Sequence, residues 1–320
     1  MFDLPLESLR DYRPEIPVPD DLDAFWAGTL DAARQHPVVQ ECEQVDNGLA
    51  LIDTYDVTFS GFDGQPVKAW LQLPAERPGP LPGIVEYIGY SNGRGLPHEK
   101  LMWAAAGYAH LVMDTRGQGT GRTVGHTDDP VGSHASAFGH LTKGISSPET
   151  YYYRRLYTDA VRAVDAIRSF DTVDADRVSV SGTSQGGGMA LAVAGLAEGL
   201  TAVMADVPFL CHFRRATEIT DAEPYFEVTK YLRAHRDQIE QVFATLAYFD
   251  GAVLGRQATA PALFSVGLMD TVCPPSTVFA AYNHYGNDHK EIRVFPYNTH
   301  EGGGGFQHAE QLAWLPGTRS

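Results

Sequence analysis

No stretch of this 320-residue sequence is apolar for long enough to cross a bilayer. Runs such as 189–197 fall far short of the roughly 20 residues a spanning helix needs, which excludes a helical membrane span. Basic residues are in short supply, with 24 Lys and Arg against 40 Asp and Glu and a formal charge of −16. Neither nucleic acid nor an anionic membrane is therefore an expected partner. Cysteine is scarce too. Cys42, Cys211 and Cys273 are odd in number and widely spaced, which suits free thiols in a reducing compartment and offers no zinc pattern. Residues 1–23 are acidic and proline-rich, with no basic region followed by an apolar one, so no secretory leader is expected. Internal repeats and low-complexity tracts are missing as well. These absences predict a soluble, cytoplasmic protein.

What is present is ordinary globular composition, 43% hydrophobic and 20% charged, in a chain long enough to bury a substantial core. We expect one domain over 1–320, with an N-terminal extension at 1–50 and inserted segments at about 115–148 and 208–258. The extension holds one helix, 22–33, with Asp20 or Asp21 as N-cap and with Phe25, Trp26 and Leu30 packing on the body. Strands at 54–59 and 67–73 flank Gly61-Phe62-Asp63-Gly64 as an antiparallel hairpin. A buried strand 81–88, a short helix 98–106 and a strand 109–114 follow. The Gly-, Ser-, Thr- and His-rich excursion 115–148 lacks periodicity, and loops of that length are commonly functional. An amphipathic helix 151–170 puts Leu156, Ala160, Val164 and Ile167 on one face. After strand 201–207, the segment 208–258 shows two helical patterns. Strand 262–267, helix 276–285, strand 291–295 and a helix from about Phe306 complete the chain. Strands alternating with helices predict an α/β fold, a doubly wound and mostly parallel sheet opened by the antiparallel hairpin.

The stretch 178–188 organises the rest. Its first half reads as a buried strand, and its second is Gly182-Thr183-Ser184-Gln185-Gly186 leading into an apolar helix. A serine on such a strand-to-helix turn is strained and exposes its hydroxyl at the sheet's edge, while glycines let the backbones approach. A serine nucleophile needs a base and an orienting carboxylate, in chain order Ser, acid, His on this fold. Asp270 follows strand 262–267 and His300 follows strand 291–295. Taken singly, an Asp before Pro274-Pro275 is a turn former or cap, and a His in a Gly-rich loop is solvated. The other eleven histidines, including His98, His126, His134 and His140, read that way. Three residue types in the required order, each directly after an expected strand, make Ser184, His300 and Asp270 the candidate triad. The oxyanion hole needs two backbone N–H groups, one from Gln185 and one from the loop after strand 81–88, where Gly89-Tyr90 supplies Tyr90.

Arg116-Gly117-Gln118-Gly119, the Gly182–Gly187 turn and His300-Glu301 resemble the three signatures of carbohydrate esterase family seven, the acetyl xylan esterases and cephalosporin C deacetylases. The resemblance extends through Tyr151-Tyr152-Tyr153-Arg154-Arg155, the stretch 158–163, the stretch 270–277 and the stretch 296–304, and so covers most of the chain. It implies an α/β-hydrolase with Ser184 as nucleophile, His300 as base, Asp270 as its carboxylate, and Tyr90 and Gln185 as oxyanion donors. It gives Arg116 a bracing role. It also implies no metal or cofactor, small acetylated substrates, and a cytoplasmic homo-oligomer, a hexamer built from dimers. The sequence departs from the family at Tyr87-Ile88, where a histidine is expected just before Gly89-Tyr90. Other readings on the same fold are a longer-chain esterase, thioesterase or peptidase, and from a different class a non-catalytic binding protein.

Overall fold

A computed structural model describes residues 3–131 and 138–316. The described residues form a nine-stranded sheet. Its strands are β1 (Val39–Val45), β2 (Ile52–Ser60), β3 (Pro66–Pro74), β4 (Leu81–Tyr87), β5 (Ala109–Met113), β6 (Val173–Thr183), β7 (Leu200–Asp206), β8 (Ala262–Gly267) and β9 (Lys290–Phe295). The spatial order is β1-β2-β3-β5-β4-β6-β7-β8-β9. The first three strands run antiparallel and β3 joins β5 antiparallel, whereas all pairings from β5 to β9 are parallel. The inner strands read as nearly unbroken apolar runs because helices cover both faces of a parallel sheet; every residue of β5 and β8 is buried.

The chain leaves β4 for β5 on one side and returns to β6 on the other. That reversal opens a crevice at the carboxyl ends of β4 and β6, where open α/β sheets bind ligands. The helices Tyr152–Arg168 and Gln185–Leu196 pack on one another and on β6. Leu156, Ala160, Val164 and Ile167 are all buried, as their shared face predicts.

The N-terminal region holds more than expected. Helix Leu22–Ala33 is present, but so are a short helix Leu6–Arg10 and the edge strand β1. Trp26 and Leu30 are buried, and Trp26 Nε1 donates to the Tyr248 carbonyl at 3.0 Å. Asp21 occupies the cap position without capping; its carboxylate accepts the Tyr248 hydroxyl instead. The segment 208–258 carries four α-helices, Phe213–Ile219, Tyr225–Ala234, Ile239–Ala247 and Gly251–Leu254, and two short 3-10 helices, rather than two helices. No described helix is long and apolar enough to cross a membrane.

Candidate active site

Ser184 alone makes the turn between β6 and the helix Gln185–Leu196, at φ 59 and ψ −118. Such a conformation costs a non-glycine residue on the order of 1–3 kcal/mol. The surroundings enforce it. Ser184 N–H donates to the Asp206 carbonyl at 2.9 Å, and its own carbonyl accepts from Gly188 and Phe209, each at 3.0 Å. Two glycines permit the approach: a Cβ at Gly182 would sit 2.3 Å from the Gly186 carbonyl carbon, and one at Gly186 would sit 2.1 Å from the Tyr87 oxygen.

The sheet brings Asp270 and His300 to this turn from the ends of β8 and β9. His300 Nδ1 lies 2.8 Å from Asp270 Oδ2, and His300 Nε2 lies 2.9 Å from Ser184 Oγ. An ionised carboxylate only accepts, so Nδ1 carries the imidazole proton and Nε2 presents its lone pair to the serine hydroxyl. Asp270 is fully buried, and its Oδ1 accepts the N–H groups of Val272 at 2.8 Å and Cys273 at 2.9 Å. Every carboxylate oxygen is thus fixed. The loop carrying His300 turns through Gly302, Gly303 and Gly304, all at positive φ, and a Cβ at Gly303 would strike the Phe295 ring.

Tyr87 on β4 pairs with Gly182 on β6, so Tyr90 and Gln185 each lie three residues beyond a matched position and flank the serine. Neither backbone N–H has a hydrogen-bond partner among the described residues. The Gln185 N–H also opens its helix, whose first N–H groups are orphaned and sit at the positive end of the dipole. At the family departure, Ile88 packs with Trp70 and Val112 in an apolar cluster, while its carbonyl accepts Gln185 Nε2 at 3.2 Å. The apolar residue keeps its backbone tie to the site.

Arg116, to which the resemblance gives a bracing role, reaches Gln65 at 2.5 Å and Asp129 at 3.5 Å besides the helix Tyr152–Arg168. Its guanidinium forks onto Asp159, with Nε at 2.5 Å and Nη2 at 2.8 Å, both residues fully buried. Gln118, part of the Arg116–Gly119 signature, makes contacts that the sequence did not announce. Its Oε1 accepts the Ser91 N–H at 2.7 Å, and its Nε2 donates to Gln185 Oε1 at 2.9 Å and contacts the Tyr152 hydroxyl at 3.0 Å. One amide therefore ties the loop carrying Tyr90 to the Gln185 side chain at the start of its helix. Glu227 was missed outright; its carboxylate accepts the Tyr90 hydroxyl at 2.8 Å. Burial pushes the Glu227 carboxyl up, against bonds from Gly139, Tyr90 and Leu141 that favour the charged form. Of the histidines read as bystanders, His140 is buried with its ring 5.6 Å from that of Tyr90, and His134 lies outside the described residues.

Behind the serine, burial raises the Asp206 carboxyl to about 6, against hydrogen bonds from Gln307 and Gln311. The two glutamines, at 2.8 and 2.7 Å, tie the helix Gly305–Trp314 to the end of β7. Asp270, Cys273 and His300 place potential metal-ligand atoms within 4.8 Å of one another. Both His300 nitrogens already face Asp270 and Ser184, so a metal there competes with the hydrogen-bonded chain. Burial holds the Cys273 thiol well above its ordinary range, hence protonated.

Comparison with known proteins gives concordant results. The chain is 29% identical over 303 residues to acetyl esterase Axe7A of Xylanibacter ruminicola, an alignment covering 90% of this chain and 65% of that protein; the chain thus spans slightly less than two thirds of its curated relative. An acetyl xylan esterase from Paenibacillus sp. R4 superposes with a TM-score of 0.90 at 40% identity, over 98% of this chain and 99% of that one. Acetyl xylan esterase 1 from Thermoanaerobacterium sp. JW/SL YS485 superposes with a TM-score of 0.89 at 33% identity, over 99% and 100%. The sequence model of the acetyl xylan esterase family (AXE1) matches residues 1–318, and the chain belongs to that family.

Proposed function

We propose that this protein is a serine esterase that removes acetyl groups from small acetylated sugars, xylo-oligosaccharides and cephalosporin C. The observation that carries the reading is the continuous hydrogen-bonded chain from Ser184 Oγ through His300 to buried Asp270. Family membership supplies the acetyl ester as substrate.

In the proposed reaction His300 Nε2 takes the Ser184 proton as Oγ attacks the acetyl carbonyl. Negative charge develops on the carbonyl oxygen, and the Tyr90 and Gln185 N–H groups stabilise it; one such donor is typically worth about 10²–10³ in rate. The tetrahedral intermediate collapses, the C–O bond to the sugar breaks, and imidazolium returns the proton to the departing hydroxyl. Water, deprotonated by His300, then attacks the acetyl-serine. Acetate leaves and Ser184 regains its proton. Asp270 stabilises the imidazolium and holds its tautomer throughout.

The same reading places the enzyme in the cytoplasm, where Cys42, Cys211 and Cys273 remain free thiols, and in a homo-hexamer with no nucleic-acid or membrane partner. Light scattering behind a sizing column tests the assembly. The activity is tested with 4-nitrophenyl esters from acetate to octanoate beside acetylated xylose and cephalosporin C, with Ser184→Ala as control. Preference for acetate and release of acetate from both natural compounds supports the proposal. Preference for long chains, or activity on artificial esters alone, moves the substrate elsewhere.

A further inference from the structure

Two long segments that the sheet does not require, 115–148 and 208–258, meet on a single side chain. Glu227 lies on the helix Tyr225–Ala234 within the second of them. Its Oε1 accepts the Tyr90 hydroxyl at 2.8 Å and the Gly139 N–H at 2.8 Å, and its Oε2 accepts the Leu141 N–H at 3.1 Å. The His140 N–H closes the arrangement by donating to the Tyr90 oxygen at 2.9 Å. Tyr90's phenol thus donates to the insertion and accepts from the excursion. Its ring is held edge-on by His140 at 5.6 Å and by Phe209 at 6.1 Å, and Phe209 N–H in turn grips the Ser184 carbonyl.

Local backbone sterics leave this loop under-determined. A Cβ at Gly89 would meet nothing tighter than ordinary contact, the Thr183 oxygen at 3.7 Å and Asn92 Nδ2 at 4.0 Å, and Ser91 sits at φ 64. A backbone N–H that must meet a developing oxyanion needs fixing from outside. Three side chains do so: Gln118 holds the Ser91 N–H, Asn92 Nδ2 donates to the Tyr90 carbonyl at 3.0 Å, and Glu227 holds the far end of the Tyr90 ring.

We infer that Glu227 is a positioning residue for ester hydrolysis. By anchoring the Tyr90 hydroxyl together with the loop at 139–141, it fixes the Tyr90 backbone N–H where the oxyanion forms. This rests on the Ser184 esterase reading. Once Glu227 releases the phenol, the substrate still binds while the transition state loses an aligned donor, so the loss falls on kcat rather than on KM.

The test measures kcat and KM for 4-nitrophenyl acetate, well below each Tm, for full-length Tyr90→Phe, Glu227→Ala, Glu227→Gln and the double variant Tyr90→Phe/Glu227→Ala. The expected result is a kcat loss of about 10- to 100-fold in Tyr90→Phe and in Glu227→Ala, with KM within about twofold. The double variant then loses no more than the worse single one, and Glu227→Gln, which retains an acceptor for the phenol, recovers most of the rate. Additive losses, a change confined to KM, or wild-type kcat in Tyr90→Phe overturns the inference, the last even where Glu227→Ala fails to fold. Ser184→Ala separates the two readings. Activity retained there sinks the esterase assignment, whereas a dead Ser184→Ala beside unaffected Glu227 variants sinks only the role of Glu227.

Discussion

Replacing Gly186 by alanine is the sharpest steric test of the nucleophile turn. The new Cβ would stand 2.1 Å from the Tyr87 carbonyl oxygen, 2.6 Å from its carbon and 3.2 Å from the Ile88 nitrogen, where ordinary contact begins at 3.4 Å. All three obstacles are backbone, so no side chain can swing aside. Either the start of the helix Gln185–Leu196 or the end of β4 must retreat by more than 1 Å; the first carries the Gln185 N–H and the second leads into the loop that carries the Tyr90 N–H. Misplacement by about 1 Å costs on the order of 10² in rate, whereas overpacking of this kind costs about 1–3 kcal/mol in stability. Gly186→Ala is therefore expected to lose roughly 100-fold in kcat on 4-nitrophenyl acetate while its Tm falls by only several degrees. The matched control is Gly28→Ala in the helix Leu22–Ala33, where a Cβ meets nothing within 4 Å. Helix propensity predicts a gain of about 0.5–1 kcal/mol and unchanged kcat there. Wild-type kcat in Gly186→Ala, or a loss matched by its unfolded fraction, would refute the reasoning.

Three further outcomes follow from the same geometry. Asp270→Asn presents an amide to His300 Nδ1 and favours the wrong tautomer, so kcat should fall by about 10⁴ with the fold intact by circular dichroism. Arg116→Met strands the buried Asp159 carboxylate and should cost about 3–5 kcal/mol in urea unfolding, with a smaller loss counting against the bracing role. Asp206, raised from 3.8 to about 6 in the fold, favours its protonated form there; its contribution is full below about pH 4 and is lost as pH rises through about 6. Asp206→Asn lacks that loss, so its stability relative to the wild type should improve between pH 4 and 7 by at most about 3 kcal/mol, read as the difference in Tm across pH.

Much of this architecture is legible because its physics is local. The apolar runs of β4 to β8 announce a covered parallel sheet, and Gly-x-Ser-x-Gly between strand and helix announces a turn that only glycines permit. Asp270 and His300 were readable because each follows directly on a strand end. Strand β1 was not. Its residues, Val-Gln-Glu-Cys-Glu-Gln-Val, are almost all exposed, so an edge strand that owes its existence to backbone pairing with β2 leaves no alternation to read. Asp21 misled because the Tyr248 hydroxyl, 227 residues away in sequence, competes for its carboxylate. Glu227 and the contacts of Gln118 escaped for the same reason: Glu227 meets Tyr90 across 137 residues of chain, and no spacing rule encodes that meeting.

The central claim is that Ser184 carries the acetyl group. The most direct measurement treats the full-length protein with a fluorophosphonate and locates the adduct by peptide mass spectrometry, following residual esterase activity in parallel. The account predicts a single adduct on Ser184, activity lost in step with labelling, and no labelling in Ser184→Ala. Full activity with Ser184 unmodified, or inactivation that tracks an adduct on another residue, would contradict it.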